Sequence, residues 1–113
     1  MQNPGLVYRG RGQFEEAERM WKRALAGYER SPYGHKKFSL DIQYILGELF
    51  EQGARFNEAA ATFAGAKAGY ETLLGPNDPE TVDAASRLES VRRKRSREGL
   101  RATIVRLLSH QLS

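Results

Sequence analysis

The chain contains no cysteine, so neither a disulfide framework nor a thiolate metal site can be built from it, and a reducing intracellular setting is the default expectation. Its two histidines, His35 and His110, stand far apart with no ligand spacing around them, and no metal or other cofactor is expected. Long apolar runs are also missing. The uncharged stretch from Ala59 to Ala66 lies between Glu58 and Lys67, far short of the roughly 20 residues that cross a bilayer, and no membrane association is expected. The opening Met1-Gln2-Asn3-Pro4-Gly5 has neither a basic nor an apolar region of the kind a signal peptide needs. Period-two alternation is absent, which argues against sheets. Gly10-Arg11-Gly12 follows no strand, so a phosphate-binding loop is not indicated, and no nucleophile stands beside a base. Enzymatic activity is not expected.

What is present suits a single domain of 113 residues, 40% hydrophobic and 28% charged, too rich in aliphatic and aromatic groups for disorder. Net charge is +4 with a pI near 9.6, but the basic character is local. Residues 87–106 carry Arg87, Arg92, Arg93, Lys94, Arg95, Arg97, Arg101 and Arg106 against only Glu89 and Glu98.

The most informative feature is self-similarity at a step of 42 residues, Phe14 to Phe56. Gly12-Gln13-Phe14-Glu15-Glu16-Ala17 matches Ala54-Arg55-Phe56-Asn57-Glu58-Ala59, and the same step pairs Trp21 with Phe63, Ala24 with Ala66, Gly27 with Gly69, Tyr28 with Tyr70 and Tyr8 with Phe50. Within each unit, Ala17, Trp21, Ala24, Tyr28 and Ala59, Phe63, Ala66, Tyr70 recur at the spacing of one helical face. A second helix per unit is read from Leu40, Ile42, Ile45, Leu46, Leu49 and Phe50, ending near Gly53, where a left-handed cap suits glycine. Leu74-Gly75-Pro76-Asn77-Asp78-Pro79-Glu80 has the residues of a stop and restart, with Asn or Asp as N-cap and proline at the first helical position. Ser31-Pro32-Tyr33-Gly34 serves the same purpose in the preceding unit. Ala17, Ala24, Gly47, Ala59 and Ala66 let helices approach closely, and Tyr8, Trp21, Phe50 and Phe63 are expected to plug the gaps between them. Glu15 to Arg19 and Glu18 to Lys22 are spaced as surface ion pairs.

Residues 5 to 91 resemble tetratricopeptide repeats, on Leu46-Gly47, Phe50, Ala59, Phe63 and Ala66. The 42-residue step, Tyr8-Arg9-Gly10-Arg11-Gly12-Gln13-Phe14-Glu15-Glu16-Ala17-Glu18 and Leu74-Gly75-Pro76-Asn77-Asp78-Pro79-Glu80-Thr81 look like the long variety found in kinesin light chains and in fungal arrays attached to nucleotide-binding receptors. The resemblance implies an all-α fold: a short right-handed superhelical array of antiparallel helical hairpins. Residues 1–32 would form a partial first repeat, 36–74 a full second repeat, and 77–113 a degenerate third repeat with a C-terminal capping helix. In the third unit Glu89, Arg92 and Arg101 replace the small and aromatic positions, and Leu100, Ile104, Leu107 or Leu108, and Leu112 are expected to let a last helix cover the stack. Pro4, Gly5 and Gly10 disfavour a regular first helix. Because fewer than three full units rarely make a stable array, the chain is expected to be a piece of a longer protein, or to associate with itself through an open first repeat or with a partner.

The resemblance also implies a concave groove lined by Asp41, Tyr44, Glu48, Glu51 and Gln52 from one unit and by Asp83, Ser86, Ser90, Arg93 and Lys94 from the next. One end is acidic and the other basic. Such a groove holds an extended or helical peptide, with Tyr44 as an aromatic anchor. The run Arg92, Arg93, Lys94, Arg95 and Arg97 reads as a solvated helix face, as a nuclear targeting signal or acidic-partner site, or as a nucleic-acid contact. The nearest upstream aromatic is Tyr70, so no stacking platform accompanies the run and nucleic acid is not the expected partner. The sequence thus points to a protein-protein interaction module or scaffold in the cytoplasm. The other reading is a nuclear or nucleic-acid-associated accessory protein that uses residues 92–97.

Overall fold

The helical spacings become four helices in the computed structural model, which describes residues 11–30 and 36–112. They are α1 (Arg11–Glu29), α2 (Lys36–Gln52), α3 (Phe56–Leu74) and α4 (Pro79–Leu112), and each packs against the next. No strand occurs among the described residues. The all-α array of consecutive hairpins is therefore the observed architecture. Tyr8, Ser31-Pro32-Tyr33-Gly34 and His35 lie outside the described residues.

Small-against-large packing holds the second unit together. Ala59, Phe63 and Ala66 are wholly buried on one face of α3, with Tyr70 almost so. The ring of Phe63 sits over the bare backbone of Gly47 in α2, and Leu40 lies over Gly69 of α3 in the same way. Ile42, Leu46 and Phe50 of α2 and Leu88 and Val91 of α4 complete the cluster around Phe63. A second cluster joins Leu40, Ala66, Tyr70 and Ala84. Side chains such as these contribute about 1.5–3 kcal/mol each when taken fully out of water.

The first unit departs from the expected symmetry. Trp21 stands at the position of Phe63 but is 37% exposed, whereas Phe63 is at 0%. Among the described residues α1 packs on α2, bringing Ala24 and Leu25 against the core. Phe63, by contrast, is enclosed from both sides because α3 packs on both α2 and α4. Trp21 is thus not the buried plug its repeat position implies. Tyr28 stacks on Phe38 at 5.7 Å between ring centroids and ties the end of α1 to the start of α2.

The turn after α2 also differs in detail from expectation. The left-handed residue is Ala54, with φ 59°, and not Gly53. Ala54 N–H donates to the Glu51 carbonyl and Arg55 N–H to the Phe50 carbonyl, the bonding pattern of a Schellman cap with Ala54 in its left-handed place. The Arg55 guanidinium, 4.7 Å from the Phe50 ring centroid, supplies the side-chain contact that usually closes this cap. A left-handed alanine costs about 1 kcal/mol. Ala54→Gly is accordingly expected to raise the free energy of unfolding by about 0.5–1 kcal/mol in a denaturant titration. Gly53→Ala, with no atom closer than 3.7 Å to the added carbon, should change stability by less than about 0.5 kcal/mol.

After α3 the stop and restart form as the residues dictate. Gly75 takes φ 98°, Asp78 Oδ1 accepts from the Glu80 amide at 2.9 Å as N-cap, and Pro79 opens α4. The buried Thr81 hydroxyl donates to the Gly75 carbonyl at 2.8 Å and pins the turn to the helix.

From there α4 runs 34 residues without a break. The 42-residue step places Arg95 and Ser96 where α2 has Gly53 and Ala54, so α4 continues through the position at which α2 stops. Gly99 inside a helix weakens it by about 1 kcal/mol but does not end it. No turn separates a third repeat from a capping helix. Leu100, Ile104, Leu107 and Leu108, expected to cover the stack, are 62%, 47%, 58% and 54% exposed.

Candidate functional site

Two stripes of polar side chains, one on α2 and one on α4, meet along the face that the resemblance marks as a groove. On α2 the stripe is Lys37, Asp41, Tyr44, Glu48 and Glu51, and on α4 it is Glu80, Asp83, Arg87 and Lys94. Both follow helical spacing, which keeps each stripe on one side of its helix.

The stripes are bonded to each other. Lys37 Nζ lies 2.9 Å from Glu80 Oε1 and 3.2 Å from Asp41 Oδ2. The Tyr44 hydroxyl donates to Asp83 and accepts from Arg87 Nε at 3.0 Å. Arg87 then reaches Glu48 with one terminal nitrogen and Glu51 with the other, and Lys94 Nζ pairs with Glu51 Oε2 at 2.5 Å. From α3, the Tyr70 hydroxyl donates to Asp41 Oδ1. A polar ladder therefore clamps α2 to α4 across the top of the core, and the Tyr44 ring meets Phe63 edge-on at 5.4 Å beneath it.

The electrostatics follow from this burial and pairing. Burial, reinforced by the Asp83 carboxylate, raises the Tyr44 phenol above its usual range, and burial with Asp41 does the same for Tyr70. Both hydroxyls are thus held as donors. Burial pushes the Glu48 carboxyl upward while Arg87 opposes it, and the Glu80 and Asp41 carboxylates raise the Lys37 ammonium. At the other side of the array, hydrogen bonds from Arg55 and Lys22 lower the Glu18 carboxyl, and the Arg55–Glu18 pair ties α1 to the turn before α3.

The residues expected to line a groove are brought together only partly. Asp41, Tyr44, Glu48, Glu51, Asp83 and Lys94 share the ladder. Gln52 and Ser86 lie beside it, Gln52 exposed, and Ser90 is half-buried. Arg93 pairs instead with Glu89 of its own helix at 3.6 Å. Arg87, the hub of the ladder, is not among the residues implied by the repeat pattern. Its signal in the sequence is complementarity: Asp83, Arg87 and Lys94 answer Tyr44, Glu48 and Glu51 at matching turns.

The ladder face stays reachable. The side chains of Arg87, Lys94 and Lys37 are 38%, 41% and 47% exposed. Where α2, α3 and α4 meet, a recess of about 180 Å³ opens between Tyr44, Tyr70, Glu80 and Asp83. Of the lining residues, Glu80 has one carboxylate oxygen, Oε2, that is shielded from solvent and has no hydrogen-bond partner among the described residues. Further along α4, a shallow depression is lined by Glu89, Arg92, Arg93, Ser96 and Arg97. Among the described residues no helix is long and apolar enough to cross a membrane.

The sequence model of the tetratricopeptide repeat matches residues 1–31, the stretch that holds the Gly12-Gln13-Phe14-Glu15-Glu16-Ala17 phrase and all of α1. That match supports a tetratricopeptide repeat protein, and such repeats are in general protein-protein interaction modules. No curated protein and no solved structure matches the chain.

Proposed function

We propose that this chain is a protein-protein interaction module whose α2–α4 face holds a peptide or helix of its partner, within or beside a larger repeat assembly. The observation that carries this reading is the recess between Tyr44, Tyr70, Glu80 and Asp83, set into an otherwise bonded polar face and lined by a glutamate of which one carboxylate oxygen has no donor among the described residues. A buried acceptor left unsatisfied costs about 1–3 kcal/mol. A basic side chain or amide of a partner entering the recess would supply the missing bond between two aromatic walls. Gln52 and Ser86 flank the track along which the rest of a bound segment would run.

The test is selection of random phage-displayed peptides on the full chain, followed by binding measurements on the peptides recovered. Ser86→Arg and Gln52→Arg alter positions outside the core and should leave the melting temperature in place. Each should weaken the selected peptides about tenfold or more, the scale of a disrupted interface anchor. Peptides indifferent to both substitutions would exclude this face as the partner site.

A further inference from the structure

Helix α4 carries two apolar stripes, and they point in opposite directions. Ala84, Leu88 and Val91 are buried against the array. At 3.6 residues per turn, Leu100, Ile104, Leu107 and Leu108 fall about 180° around the axis from them. The line that continues the buried stripe is instead occupied by Arg95, Ala102 and Arg106. While it stays helical, this half therefore does not lay its leucines on its own core. They face away from the array, 47% to 62% exposed.

The same half carries a strong charge. Residues 92–112 hold Arg92, Arg93, Lys94, Arg95, Arg97, Arg101 and Arg106 against Glu98 alone. Among the described residues Arg92, Arg95, Arg97 and Arg106 have no ion-pair partner, and Arg101 reaches Glu98 only at 3.8 Å. Arg93, Arg97 and Arg101 form a row that runs into the arc of the apolar stripe, with Arg97 one turn before Leu100 and Arg101 one turn before Val105 and two before Leu108.

We propose that the C-terminal half of α4 is a docking surface for an acidic amphipathic helix of another protein. Leu100, Ile104, Leu107 and Leu108 have the spacing of anchors for a helix laid alongside, and carboxylates on the partner's flank neutralise the arginine row. Charge decides among the possible occupants. A second copy of this chain would bring one arginine row against another, with only Glu98 to offset it. A bilayer surface favours a helix whose charges are segregated from its apolar face, whereas here Arg97 and Arg101 share that face with the leucines. A nucleic acid would use the arginines and leave the apolar stripe in water. Only a surface with apolar and acidic groups in helical register uses both features.

The experiment measures binding of the full chain to a synthetic helical peptide of about 20 residues with a leucine stripe flanked by glutamates. An isomer of identical composition with the leucines scattered serves as control, alongside phosphatidylserine-containing vesicles and a DNA duplex. The striped peptide should bind at least about tenfold more tightly than its isomer, and Ile104→Ser/Leu108→Ser should remove that advantage. Arg97→Gln/Arg101→Gln should weaken binding and flatten its salt dependence. Ser86→Arg should have no effect, which separates this surface from the α2–α4 face. Equal binding of the two peptides, indifference to both double variants, or preference for vesicles or DNA over the striped peptide would overturn the proposal. So would sedimentation showing self-association that Ile104→Ser/Leu108→Ser abolishes.

Discussion

Phe63→Ala is expected to remove about 3–5 kcal/mol of unfolding free energy, a large share of the roughly 5–15 kcal/mol that a folded domain possesses. The ring is at 0% exposure and is shared by three helices: it rests on Gly47 of α2, meets Tyr44 edge-on and packs with Leu88 and Val91 of α4. Its loss leaves a cavity that rigid helix backbones cannot close. Denaturant unfolding followed by circular dichroism measures the effect, and Trp21→Ala provides the internal comparison. The two residues hold the same place in the repeat, yet Trp21 is 37% exposed and should cost less than half as much. Equal losses at the two positions would contradict the asymmetry between the units.

The second large effect is expected from the other side of the same contact. An alanine at position 47 places its added carbon 2.7, 2.8 and 2.9 Å from three atoms of the Phe63 ring, well inside van der Waals contact. Alanine is the better helix former by about 1 kcal/mol, but overpacking a filled core costs about 1–3 kcal/mol. Phe63 is wholly buried, so Gly47→Ala should destabilise by up to about 2 kcal/mol net. The sign should change when the ring is made smaller. On a Phe63→Leu background the same alanine should be neutral or stabilising, and the double-mutant cycle should return a clear coupling energy. Additive effects would mean that Gly47 is not retained for that ring.

The sequence conveyed the fold through spacing and the site only by halves. The helices of the second unit, their small-against-large packing and the stop and restart at Gly75, Asp78 and Pro79 all follow from local rules, which one chain displays in full. Other features depend on which neighbours are present. Trp21 and Phe63 occupy equivalent places, but among the described residues only Phe63 is enclosed on both sides. Ala54 accepts a left-handed backbone that glycine would adopt at less cost, because Arg55 and Phe50 close the cap around it. Asp41, Tyr44, Glu48 and Glu51 were legible as one face, but their engagement with Arg87 depends on the rotation of α4 against α2, which the spacing within either helix does not determine. The continuation of α4 past Arg95 was legible only by negation, since the Gly53-Ala54 turn that follows α2 has no counterpart there.

That uninterrupted helix has a thermodynamic consequence. Its 34 residues span about 51 Å at 1.5 Å per residue, whereas the buried side chains on it end at Val91. Opening the first half requires breaking the core and the ladder. The second half is held mainly by its own backbone bonds, and isolated helices of that length are marginal in water. Amide hydrogens before Arg92 should therefore exchange with the global unfolding of the array, and those beyond Gly99 through local fraying. The helix is one object to the eye and two in cooperativity, with the junction falling in the arginine run.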